Sequence, residues 1–137
     1  MIDIENKIID ILSEAFDGVA KVSSTYVESP DEFPWVYARV ISNRGYSKSY
    51  DNALREHDAQ ITCRLEYYSA KETGAKQEVK ALAQIGDITM QGIKFRRSTF
   101  SMIPNWDRSI TRAVSDYVGI VHEGVEVGNN TVYQIFR

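Results

Sequence analysis

The side chains with most claim to chemistry are two histidines, His57 and His122, one cysteine, Cys63, and a few neighbouring carboxylates. Neither histidine belongs to a HExxH motif or a His-rich cluster, so the usual zinc-ligand spacings are missing. His57 opens an expected strand and His122 stands beside Glu123; both read as surface residues. Cys63 falls on the apolar side of an alternating segment, where a cysteine behaves as a small hydrophobe. It has no second cysteine to pair with, which suits a reducing compartment. The carboxylate pairs are Asp31/Glu32 and Glu56/Asp58. General acid–base work needs such a pair shielded, with its two pKa values driven apart. The first pair lies in a proline turn and the second flanks a strand start, so both read as solvated. Asp51 and Asp58 around Asn52 miss the calcium-loop spacing. There is no GxSxG elbow and no glycine-rich phosphate loop. We expect no catalytic site, no metal, no cofactor and no enzymatic activity.

Two basic groupings remain. Lys94, Arg96 and Arg97 fall on one expected strand, with Arg112 a candidate to lie opposite. Arg44, Lys48 and Arg55 fall on a long polar segment, interleaved with Tyr46 and Tyr50. Basic and aromatic residues together can contact phosphates and bases, anchor a protein interface, or simply be solvated. On the residues alone these readings stay open; Tyr46, Lys48, Tyr50 and Arg55 are the interface candidates, and Lys94, Arg96 and Arg97 the candidate basic contact strand.

The elements that must carry these residues follow from periodicity. Ile4, Ile8, Ile11, Leu12, Ala15 and Phe16 make one face of a helix over 2–17, stopped by Gly18. A strand is expected over 19–27, then a turn with Pro30 and Pro34. The next strand, 35–42, is apolar on both sides, as in a central strand. The polar excursion 43–56 is longer than an ordinary hairpin loop, and such connections are commonly functional or mobile. Over 57–69, Ala59, Ile61, Cys63, Leu65 and Tyr67 alternate with polar residues, the clearest strand signal in the chain. A second helix is expected over 75–90, on the stripe Ala75, Val79, Leu82, Gly86 and Met90. Strands over 94–103 and 110–121 follow, and Gly128-Asn129-Asn130 turns into a closing strand, 131–136. The order α-β-β-β-α-β-β-β implies an α+β domain: a mostly antiparallel sheet flanked by two main helices.

Composition limits the rest. At 137 residues the chain matches a single domain, 1–137. Its net charge of −3 argues against a general nucleic-acid coat. The acidic N-terminus lacks the pattern of a signal peptide, and no apolar run is long enough to span a membrane. A cytosolic protein is expected.

Several segments, in order, resemble one family. They are Ile2-Asp3-Ile4-Glu5-Asn6-Lys7-Ile8, Phe33-Pro34-Trp35-Val36, Leu65-Glu66-Tyr67-Tyr68-Ser69, Gly74-Ala75-Lys76, Gly92-Ile93-Lys94-Phe95-Arg96-Arg97, and Pro104-Asn105 before Ile110-Thr111-Arg112. Together they resemble the tail terminators, the tail-to-head joining proteins in the neck of long-tailed phages and prophages. Tail-completion and head–tail connector proteins of the same neck share lengths and element orders. The resemblance implies a structural protein that forms a ring, typically a homohexamer, on the finished tail tube. Such a ring stops tube polymerisation and presents a docking surface to the head. Its implied partners are copies of itself, the tail-tube protein and a head-completion or connector protein, with DNA only passing through the lumen and no membrane. Its implied location is the bacterial cytoplasm during assembly, then the virion neck. A small α+β enzyme and a monomeric binding module are the rival classes.

Overall fold

The computed structural model describes residues 4–25, 32–45, 58–104, 107–127 and 130–136, with the backbone path alone from residue 122 onward. Two helices and six strands run in the order α1 (Glu5–Ala15), β1 (Lys21–Ser23), β2 (Trp35–Gly45), β3 (Asp58–Ser69), α2 (Ala75–Gly92), β4 (Arg96–Ile103), β5 (Thr111–Val127) and β6 (Asn130–Phe136). They form one sheet in the order β1-β2-β3-β5-β4, with β6 also on β5. Among the described residues, only β1 against β2 is parallel and every other pairing is antiparallel. This is the expected α+β architecture.

Both helices lie on one face of the sheet. α1 contributes Ile4, Ile8, Leu12 and Phe16, and α2 contributes Val79, Leu82, Ala83 and Met90. They pack on alternate residues of the strands: Val36 and Ala38 of β2, the set from Ala59 to Tyr67 on β3, and Ala113, Tyr117 and Val121 of β5. The alternation in β3 therefore separates the face covered by α1 and α2 from one that is helix-free among the described residues. A second apolar cluster, Trp35, Tyr37, Tyr68 and Ile110 with Phe33 against it, contains residues of the opposite parity in β2 and β3. That cluster explains why β2 is apolar on both sides. α2 comes very close to the sheet: a Cβ added at Gly86 would lie 2.1 Å from the Tyr67 hydroxyl oxygen. Gly119 makes the same kind of room on β5, where a Cβ would meet the Phe95 ring at 2.6 Å.

Several boundaries differ from the periodicity. The strand expected over 19–27 is confined to Lys21–Ser23 among the described residues. The N–H groups of Val19 and Ala20 both donate to the Phe16 carbonyl, at 2.9 and 3.0 Å, so they close the helix end. β2 runs on to Gly45, past the expected end at 42, through a register shift at Ile41. Residues 43–45 are thus strand, and the rest of the polar excursion, 46–56, lies outside the described residues. β2 also runs well past the three-residue β1. There the Val40 N–H donates to the Glu5 carboxylate of α1 at 2.9 Å, so a side chain serves a backbone group beyond the reach of β1. Lys94 is not in β4. It sits in the exit of α2 with φ 67, its N–H donating to the Gln91 carbonyl. β5 reaches Val127, six residues beyond expectation, because β6 pairs with its far half from Ile120↔Phe136 to Val127↔Asn130.

Candidate interaction surface

The helix-free face carries the charged positions of the central strands, in rows set by register. Arg64 on β3 lies directly across from Asp116 on β5. Its Nε and Nη2 donate to the two carboxylate oxygens at 2.8 and 3.1 Å, a bidentate pair. That bond holds the Arg64 pKa above its ordinary value, against partial desolvation. One row along, Glu66 is buried and pairs with Arg112 of β5. The Arg112 guanidinium also lies 5.8 Å from the Tyr68 ring centre, and that of Arg39 lies 5.5 Å from Tyr37. Trp35 packs against Tyr68 with ring centres 5.0 Å apart. These side chains bind one another across the strands, giving a patterned face.

Beneath α2 a polar chain runs inward from the surface. Arg97 of β4 donates to Asp87 Oδ2 at 2.8 Å, and the Tyr117 hydroxyl donates to Asp87 Oδ1 at 2.5 Å. Tyr117 and Tyr67 bring their hydroxyl oxygens to 3.4 Å. Burial, then the neighbouring Tyr67 and Asp87, pushes the Tyr117 pKa well above its ordinary value, and burial does the same for Tyr67. Both phenols stay protonated, so the chain ties α2 to β4 and β5. Cys63, 1% exposed, has its thiol pushed up to about 12, first by burial and then by the Glu5 and Asp116 charges. Its reactive thiolate form is thereby suppressed at neutral pH.

β4 is the edge strand beyond β5. Six of its eight residues are exposed; Phe100 and Ile103 are half-buried. The three residues of the expected basic strand do not share a face. Lys94 is exposed in the turn before β4. Arg96 lies across from Val118 on the helix-free side, and Arg97 lies across from Tyr117 on the helix side, where Asp87 holds it. Arg112 is not opposite them; its β4 neighbour is Ile103, at the other end of the strand. At that end a groove of about 350 Å³ opens between β4, the turn after it and the start of α2. Met102, Ile103, Pro104 and Ile110 give it apolar walls, and Lys76 and Arg108 bring exposed cations.

Tyr46, Lys48, Tyr50 and Arg55, the interface candidates of the polar segment, lie outside the described residues, as do His57, Glu56, Asp31 and Asp51. Arg44 is exposed near the end of β2. Glu32 is exposed and lies 3.9 Å from Lys21. Asp58 starts β3 across from His122. Among the described residues, no group of three or more His, Cys, Asp or Glu could hold a metal ion, and no helix is long and apolar enough to cross a membrane. Sequence reading passed over the Arg64–Asp116 and Glu66–Arg112 pairs and the role of Asp87. The available signal was the charge at alternate positions of β3 and β5; the missing quantity was their register. No known family model matches the chain, and no characterised protein matches it in sequence.

Proposed function

We propose that this chain is a structural assembly protein of a phage or prophage neck, acting as the ring-forming tail terminator that its sequence resembles. The observation that carries the reading is the pair of unlike sheet edges. One end of the sheet is the three-residue β1, and the other is the eight-residue, largely exposed β4. Subunits that join through two different surfaces close into rings when the rotation between them closes. The self-paired charges of the helix-free face support the reading as well, because neutralising them within the subunit lowers the cost of burying that face against a partner.

In this reading the partners are copies of the chain, the tail-tube protein and a head-completion or connector protein. Assembly takes place in the bacterial cytoplasm, and the ring ends in the virion neck, with DNA passing through its lumen. The test is electron microscopy of the chain mixed with its cognate tail-tube protein. Rings capping tubes, with tube growth arrested, are expected; tubes of unaltered length would overturn the role. Rings that bind the head connector and leave tubes alone would move the chain to the connector position of the same neck.

A further inference from the structure

We propose that the groove at the end of β4 receives the acidic exit of α1 from a second copy of the chain. The inference rests on the reading above in one respect, that copies of this chain contact one another. Which neck component the assembly caps plays no part in it.

The groove joins apolar walls to unpaired cations. Met102, Ile103, Pro104 and Ile110 form the walls, with Met102 39% exposed. Lys76, the second residue of α2, and Arg108 line it from exposed positions. Neither has an ion-pair partner among the described residues. Arg112 lines it too, but its charge is met by Glu66. Among the described residues no carboxylate lines this groove. A second hollow of about 620 Å³ shares Lys76, Arg108 and Thr111 with it, so the two cations serve both openings; Glu72 lines only the second. Both openings lie against the start of α2, the end at which a helix favours anions. The acidic residue of that first turn, Glu78, is already held by Lys71 and Ser69. The site therefore fits an occupant that brings both carboxylates and an apolar side chain.

The exit of α1 is such an occupant. Asp10 and Glu14, one turn apart on the helix, and Asp17 just beyond it are all exposed. None of the three has an ion-pair partner among the described residues. Val19, two residues on, is a large apolar side chain left 47% exposed. The last turn of α1 has no basic residue, so these carboxylates gather at the end where a helix favours cations. Each helix end thus carries charge of the sign its own dipole disfavours, and bringing the two ends together offsets both. Within one subunit they cannot meet. α1 packs on β1 and β2 at one end of the sheet, and the groove borders β4 at the other. The contact is therefore head-to-tail between copies and can add subunits repeatedly.

The experiment uses the full chain in sedimentation velocity and native mass spectrometry across a concentration series. One variant reverses the groove charges (K76E with R108E), one reverses the exit charges (E14K with D17K), and one carries all four changes. The wild type is expected to associate. Each two-site variant should need roughly tenfold or more protein to reach the same association, since like charges then face each other. At concentrations too low for association, each should melt at or above the wild-type temperature, because each reversal suits its local helix dipole. That readout separates a lost contact from a lost fold. The four-site variant, and an equimolar mixture of the two two-site variants, should recover association. Hydrogen exchange should show residues 17–20 and 108–111 protected on association. A wild type that stays monomeric at every concentration, association unchanged in either two-site variant, both variants melting below the wild type, or no recovery in the mixture would each overturn the proposal. Protection of 108–111 only when the tube protein is added would overturn it too, by making an acidic segment of that protein the occupant. Tube capping is scored separately. Copies that associate through these surfaces without capping tubes keep this inference and lose the neck reading. Tube capping that withstands both reversals, with association also unchanged, does the opposite.

Discussion

Replacing Gly86 by alanine tests whether the close approach of α2 to the sheet is built on this one position. A helix normally gains about 1 kcal/mol from Gly→Ala. At Gly86 the new Cβ would stand 2.1 Å from the Tyr67 hydroxyl oxygen, 3.2 Å from its Cζ and 3.3 Å from Leu65 Cδ2. The oxygen cannot swing away cheaply, because Tyr67 is fully buried and its hydroxyl lies beside that of Tyr117. Overpacking of this kind costs roughly 1–3 kcal/mol, and a contact this short belongs at the upper end. The net expectation for G86A is a loss of about 2 kcal/mol after the helix gain is subtracted. At this chain length that lowers the melting temperature by roughly 5–10 °C. The paired variant is Tyr67→Phe, which deletes the offending oxygen. In that background G86A should cost little or stabilise, so the two changes should couple by about 2 kcal/mol in a double-mutant cycle. Urea unfolding followed by tryptophan fluorescence and circular dichroism supplies all four free energies. If G86A were as stable as the wild type, or cost the same with and without the Tyr67 hydroxyl, the packing argument would fail. The position matters beyond stability: Asp87 is next in the chain, and its reach to Tyr117 and Arg97 depends on the same approach.

Removing the half-buried cation that faces buried Glu66, Arg112→Met, leaves Glu66 charged and enclosed; a loss of roughly 2–4 kcal/mol is expected, and Arg112→Met with Glu66→Met should recover most of it in the same urea assay. Stability should fall as alkaline pH is approached. Cys63 is raised from 9.0 to about 12, and Tyr67 and Tyr117 are raised above 10.0. The unfolded chain therefore loses protons first, and stability is full below about pH 9 and declines above it, by at most about 1.4 kcal/mol per unit for each group. A flat profile between pH 9 and 11 in denaturant titrations would contradict this. Cys63 should be inert to a thiol-specific maleimide at neutral pH in the native protein and react once urea unfolds it; rapid native labelling would refute its burial. Deleting the Glu5 carboxylate (E5Q) keeps an acceptor near the Val40 N–H but weakens a charge-assisted bond, so a loss of about 1 kcal/mol is expected.

Local pattern was enough for the elements whose environment repeats regularly. The stripe from Ile4 to Phe16 requires a helix against an apolar surface, and the alternation from Ala59 to Tyr67 requires a strand with one face on that surface, because residue spacing maps directly onto helix and strand geometry. The buried, unreactive character of Cys63 follows from its place in that alternation. Together these yield the α+β class and the element order. What pattern could not supply is register across strands. Lys94, Arg96 and Arg97 are neighbours in sequence, yet a positive-φ turn, the alternation of β4 and a shift at Ser98 send them to different surroundings. Arg64 and Asp116, 52 residues apart, meet only because β3 and β5 pair in one alignment. The extra length of β5 likewise depends on its pairing with β6, from Ile120↔Phe136 to Val127↔Asn130. Sequence by itself determined which residues seek the core and which seek water. Tertiary structure alone decided which charges are neutralised inside the subunit and which stand unpaired at its surface, since ion pairing and strand pairing depend on distances between segments that no local pattern encodes.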